Sequence, residues 1–142
     1  MSHDARVTRV QHFFQTLTRE TTAQARAIYS ADAYFKDPFN EVHGVEPITR
    51  LFAHMFDQVD APRFTIKDTL VDGDQVFLTW DFHFRRHRSA VEMTIRGGSH
   101  LRFNGAGQVA FHRDYWDAAE ELYEKLPVLG SLMRWLRRRA AR

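Results

Sequence analysis

The chain has 142 residues, enough for one domain with a substantial core, and 44% of them are apolar, with twelve Phe among them. That composition excludes a disordered chain, and the absence of cysteine excludes disulfides, thiolate metal sites and cysteine nucleophiles. The net charge of +2 conceals an asymmetry, because residues 130–142 hold five Arg and no acid while the remainder holds 15 basic and 18 acidic residues; a uniformly basic nucleic-acid binder has no such split, so no nucleic-acid partner is expected.

In chain order, Asp4 can cap a helix whose apolar positions Val7, Val10, Phe14 and Leu17 recur at helical spacing. Thr21 and Thr22 restart a short helix through Tyr29. Tyr34 to Phe39 reads as extended, since Pro38 disfavours helix in the residue before it. Asn40 to Gly44 reads as a turn. Pro47 then opens a helix with the apolar stripe Ile48, Leu51, Phe52, Met55 and Phe56.

The period then changes from helical to alternating. Arg63 to Val71 is a strand, and Asp72-Gly73-Asp74 supplies turn chemistry. Gln75 to Arg86 is the clearest strand, with Val76, Leu78, Trp80, Phe82 and Phe84 on one face. Val91 to Phe103 returns antiparallel to it, and Gly97-Gly98 suggests a bulge or bend. Asn104 to Gly107 turns the chain into a last strand, Gln108 to Trp116. Ala118 to Leu126 is a short helix that Pro127 ends. Helices followed by long antiparallel strands predict an α+β fold, with a curved sheet and the N-terminal helices enclosing a cone-shaped pocket. Residues 1–127 form the single domain on this reading, and residues 128–142 a basic amphipathic C-terminal helix.

No apolar run approaches the roughly 20 residues of a membrane span, and the first residues carry no apolar signal-peptide core; a cytoplasmic protein is the expectation. In the tail, Leu132, Met133, Trp135 and Leu136 give a helix one apolar sector, with Arg134, Arg137, Arg138 and Arg139 crowding the rest. Such a helix suits peripheral contact with an anionic inner-membrane surface. Docking on the domain or on a partner subunit is the competing reading.

Two segments resemble a known family. IYSADAYFKDPFNEVHGVEPITRLFAHMF, from Ile28 to Phe56, is similar to the stretch shared by SnoaL-like proteins and bacterial ketosteroid isomerases. LRFNGAGQVAFHRDYWD, from Leu101 to Asp117, resembles that family's final hairpin. The similarity spans roughly residues 8 to 117. It implies the cystatin-like, nuclear transport factor 2-like cone, a small apolar ligand, no cofactor and a homodimer paired through an aromatic sheet face that includes Phe77. It places Asp37 where ketosteroid isomerases keep their general base. It places Phe13 (or Phe14, with a one-residue slip) and Ser99 where those enzymes keep the two donors of their oxyanion hole. Phe cannot donate a hydrogen bond, and Ser is a weaker donor than a neutral carboxylic acid.

The candidate catalytic residues are therefore Asp37, His112 and Asp114. Asp37, beside Pro38 and Phe39, can be desolvated toward base function, or can simply accept bonds from its own turn. His112, Asp114 and Trp116 share one strand face, and a His beside an Asp can exchange protons near neutral pH; a polar pair that anchors the pocket floor is the alternative. Phe13, Phe14, Phe39, Ser99, Leu101 and Trp116 are the candidate substrate contacts. No His-Glu-x-x-His or comparable ligand spacing occurs, so no metal is expected. Two functions remain open: a cofactor-independent isomerase or lyase working by proton transfer on an apolar, lipid- or steroid-like substrate, or a non-catalytic ligand-binding or dimerisation module.

Overall fold

The computed structural model describes residues 4–122 and residue 139. Helix α1, Ala5–Gln15, begins at Asp4, whose carboxylate accepts the Arg6 amide at 3.0 Å. The Arg6 guanidinium pairs with Asp4 and with Asp74, at 2.7 Å each, fastening the helix to a distant turn. Val7, Val10, Phe13 and Phe14 form the buried face of α1; each such side chain, fully buried, contributes about 1.5–3 kcal/mol. A 3₁₀ turn, Glu20–Gln24, leads into the single-turn α2, Ala25–Ile28.

The strands are β1 (Tyr29–Lys36), β2 (Glu41–His43), β3 (Asp60–Asp72), β4 (Gln75–Arg85), β5 (Glu92–Phe103) and β6 (Val109–Tyr115), with α3 (Val45–Gln58) between β2 and β3 and α4 (Ala118–Glu121) after β6. They form one curved, unclosed sheet in the order β2-β1-β6-β5-β4-β3. Strands β3 to β6 are the expected antiparallel meander, whereas β1 runs parallel to β6. Helices α1 and α3 pack across the concave face. Phe13, Phe14 and Phe52 meet there edge to face, with centroids 5.1 to 5.9 Å apart.

Three local expectations are corrected. Tyr29 opens β1 instead of closing a helix, because its backbone is extended and pairs with Val109. Glu41–His43 is a strand rather than part of a turn, held in register with Tyr34–Lys36. Gly97-Gly98 makes no bulge, since β4 and β5 stay in continuous register from Gln75↔Arg102 to Arg85↔Glu92. The two glycines instead make room for rings on opposite faces. A Cβ on Gly97 would stand 2.5 Å from the Trp80 ring, and one on Gly98 2.7 Å from the Phe77 ring. The bulge lies further along, where the β5–β6 register slips between Arg102 and Phe103. Val109 and His112 are consequently both buried, although three residues apart.

Of the helix read from Ala118, residues 123–126 lie outside the described residues. So does the basic tail with its membrane reading, apart from Arg139. Among the described residues no helix is long and apolar enough to cross a membrane. Helix α4 is anchored by buried Glu121, whose carboxylate accepts the Arg96 amide at 3.1 Å and pairs with its guanidinium at 2.6 Å.

The ring contact at Gly97 yields a test. Gly97→Ala forces the Trp80 indole aside and should lower the unfolding free energy by about 1–3 kcal/mol, the usual cost of overpacking. Gly105→Ala, which meets nothing within 4 Å, should stay near wild type. Urea denaturation of both variants checks the pair; equal midpoints would contradict the packing role.

Candidate functional site

Strand β6 sends His112 and Asp114 inward, and what surrounds them comes from four other elements. The His112 ring is buried against Phe14 of α1 and Phe35 of β1, with centroids 5.8 and 4.6 Å away. Tyr29 lies parallel to it, and the Tyr29 hydroxyl is 2.7 Å from Nδ1. Burial pushes the Tyr29 phenol well above its ordinary pKa, and the charge of Asp114 pushes the same way. An ionised Asp114 can only accept, so the His112 proton belongs on Nε2, and Nδ1 of the neutral ring accepts the hydrogen bond from the Tyr29 hydroxyl. The His112 Nε2–H in turn donates to Asp114 Oδ1 at 2.6 Å.

A second arm reaches the same oxygen from the far side. The Trp80 indole N–H donates to Ser99 Oγ at 2.8 Å, and Ser99 donates to Asp114 Oδ1 at 2.5 Å. Two chains of donors, Tyr29–His112 and Trp80–Ser99, thus converge on one carboxylate oxygen. Among the described residues no donor reaches Oδ2. No buried side-chain nitrogen or oxygen of the described residues is left without a partner.

The network forms one wall of an inner cavity of about 30 Å³. Phe14, Phe52, Phe64, Ile66 and Leu78 supply the apolar wall, and Trp80, Ser99, His112 and Asp114 the rest. A water needs about 10–15 Å³ measured in this way, so the cavity admits only a small group. Towards the wide end of the sheet lies a cleft of about 560 Å³, whose walls include Phe39, Leu51, Phe82, Ile95, Trp116 and Arg139. Phe64 faces the inner cavity and Phe82 the cleft, and their rings pack 4.7 Å apart as a partition.

The structure thus gathers Phe14, Ser99, His112 and Asp114 at one cavity. Phe39 and Trp116 meet edge to face at 5.4 Å in the outer cleft. Phe13 and Leu101 are core residues behind the cavity wall, Phe13 because its ring turns toward Phe14 and Phe52 within the helix layer. Asp37 sits apart, in a recess of about 230 Å³ that it shares with Asp114 and Trp116. Its Oδ1 accepts the Phe39 and Asn40 amides at 2.8 and 2.7 Å, and the Asn40 side chain reaches both of its oxygens at 3.1 Å. Burial pushes the Asp37 carboxyl up, the turn bonds pull it down, and Asp114 adds a smaller upward push.

Tyr29 and Trp80 are the members of the network that sequence reasoning missed. A Trp on the inward face of a strand needs a partner for its N–H, so Trp80 carried a signal. Tyr29 carried none, because its partner lies 83 positions away. Among the described residues no group of three or more His, Asp or Glu is placed to hold a metal ion.

A family model, the SnoaL-like domain, matches residues 10–112. The chain belongs to the SnoaL-like family. No curated protein matches this SnoaL-like chain in sequence. Its fold is shared with a protein of ketosteroid isomerase-like fold from Catenulispora acidiphila in complex with trimethylamine, at TM-score 0.72 and 17% identity over 85% of this chain and 92% of that one. An NTF2-like protein of unknown function from Burkholderia pseudomallei has TM-score 0.72 and 16% identity, over 84% and 95%. An LEH-like epoxide hydrolase from M. tuberculosis has TM-score 0.71 and 18% identity, over 91% and 95%. Likeness at such identities establishes the fold of the SnoaL-like chain and leaves its chemistry to its own residues.

The network sets an energetic expectation. Tyr29→Phe leaves Nδ1 of His112 without a donor among aromatic walls, and Ser99→Ala strands the Trp80 N–H. Each should cost about 1–3 kcal/mol in urea unfolding. Losses under about 0.5 kcal/mol, the scatter of neutral substitutions, would mean that the chain of bonds contributes nothing.

Proposed function

We propose that this SnoaL-like chain is a cofactor-independent proton-transfer enzyme of the isomerase or lyase kind, with Asp114 as its base. One observation carries the reading: Asp114, which lines an aromatic cavity, is clamped through Oδ1 by two donors, while among the described residues Oδ2 meets no donor. A carboxylate fixed in this way can take a proton from a bound substrate at Oδ2 and return it to another atom of the same molecule. Because both clamping groups are held by their own donors, it does so without turning away. Asp37 is the weaker candidate base, since both of its oxygens already accept bonds from its own turn. Its role is then to shape the rim beside Asp114.

The cavity volumes support a substrate that puts a small group against Asp114 and leaves a larger apolar body to the outer cleft. A rigid steroid does not fit the inner cavity as it stands. A purely binding role is the second reading, and a specific observation favours it. Among the described residues each donor at the inner cavity is committed within the network, and none of them is left to stabilise an oxyanion.

Deuterium incorporation separates the two. Cyclic ketones and β,γ-unsaturated ketones incubated with the protein in D₂O should exchange their acidic C–H positions, followed by NMR. Asp114→Asn should slow the exchange by about 10²–10⁴-fold, the usual worth of a positioned base, and Asp37→Asn by much less. Ketones that bind without exchange would leave the binding role. An equal loss in both variants would remove Asp114 as the base.

The convex face supports a homodimer. Tyr34 stacks on Phe111 at 5.4 Å, Arg102 lies 4.1 Å over the Phe111 ring, Phe77 is half-buried and Tyr115 is 46% exposed. Sedimentation equilibrium should give twice the 16.7 kDa chain mass, and Tyr115→Glu should shift it to the monomer. A wild-type monomer would refute the pairing.

A further inference from the structure

The hydrogen-bond inventory of the inner cavity narrows the ligand. Four of its wall residues are polar: Trp80, Ser99, His112 and Asp114. The Trp80 N–H is taken by Ser99, and the Ser99 hydroxyl and the His112 Nε2–H are both taken by Asp114 Oδ1. Tyr29, behind the wall, fills the remaining ring nitrogen of His112. Among the described residues no Lys or Arg lines the cavity. Among the described residues, what the wall offers an incoming molecule is therefore the Asp114 carboxylate and the π-systems of Phe14, Phe52, Phe64 and Trp80.

These rings form a connected set. Phe14 contacts Phe52 at 5.8 Å and Phe64 at 6.0 Å, and Phe64 contacts Trp80 at 5.5 Å. An anion or a carbonyl oxygen would find no donor there. A plain hydrocarbon would cover Oδ2 and cost it its hydration. A cationic nitrogen satisfies the carboxylate and gains from the aromatic walls. Asp37, close enough to Asp114 to feel its charge, adds a second negative group on the far side.

We infer that the inner cavity recognises a compact organic cation, a primary or short-chain alkylammonium group held by Asp114 Oδ2 within the Phe14, Phe52, Phe64 and Trp80 rings. The inference rests on Asp114 being the working group of the site and deepens the binding reading of that site, since an ammonium on Oδ2 occupies the oxygen that the catalytic reading uses as a base. A cavity of about 30 Å³ limits the buried part to the ammonium head and one or two carbons. The rest of a longer ligand must pass the Phe64–Phe82 partition into the outer cleft.

The test is a binding series at fixed ionic strength. Methylammonium, ethylammonium and butylammonium chlorides are titrated into the full chain against methanol, ethanol, 1-butanol and the matching carboxylates, with the Trp80 indole N–H followed by NMR. At least one ammonium should bind tenfold or more tightly than its alcohol, and the carboxylates should leave the Trp80 resonance unmoved. In Asp114→Asn the preference should fall below twofold. Alcohols or carboxylates that bind as well as the ammonium ions in the wild-type chain would overturn the assignment, and so would a preference that survives in Asp114→Asn. The wild-type comparison needs no variant to fold. It is also independent of deuterium exchange, so cation binding without proton transfer would refute only the catalytic reading.

Discussion

Everything at the candidate site depends on a single carboxylate oxygen. Asp114 Oδ1 receives His112 from one side and Ser99 from the other, and each of these is fixed by a further donor, Tyr29 and Trp80. In a low-dielectric interior an incomplete polar network is costly, while a complete one rigidifies its surroundings. Completing this one consumes the donors around the cavity. The same bonds that hold Asp114, at the edge of an aromatic cavity, leave its other oxygen with no donor among the described residues to share it.

The sheet is built to make that convergence possible. The parallel pairing of β1 with β6 brings Tyr29 beside His112 across 83 residues of sequence. The continuous register of β4 with β5 sets Trp80 opposite Gly97 and within reach of Ser99, and the missing side chain at Gly97 lets the indole lie flat enough to make the bond. The slip in β5–β6 lets Val109 join the core without turning His112 outward. Helices α1 and α3 then cover the concave side with Phe14 and Phe52, so the polar chain meets aromatic rings on the side where a ligand would sit.

Much of the fold was legible from alternation. The period-two pattern from Val76 to Phe84 and the helical stripe from Ile48 to Phe56 each settle one element and one face. The spacing of His112 and Asp114 put them on one strand face, while the inward direction of that face, like the place of Ser99, entered through family resemblance. The glycine pair was ambiguous because a strand glycine signals a bulge, a bend or a close neighbour; the continuous register removes the bulge, and Trp80 and Phe77 are the close neighbours. Tyr29 was illegible because the bond that turns it from helix to strand is made with the last strand. Asp37 was ambiguous in a chemically definite way: an Asp before Pro can face a ligand or satisfy its own turn, and the Phe39 and Asn40 amides take it for the turn.

The direct measurement of this account is the position of the protons. Neutron diffraction from crystals grown in D₂O places deuterons on hydroxyl, indole and imidazole groups. The account predicts a deuteron on Tyr29 Oη directed at His112 Nδ1, one on His112 Nε2 and one on Ser99 Oγ both directed at Asp114 Oδ1, and one on the Trp80 indole directed at Ser99. A deuteron on His112 Nδ1, or a Ser99 hydroxyl turned into the cavity, would contradict it, because the first breaks the chain of bonds from Tyr29 to Asp114 and the second frees a donor that the proposed cationic ligand requires to be engaged.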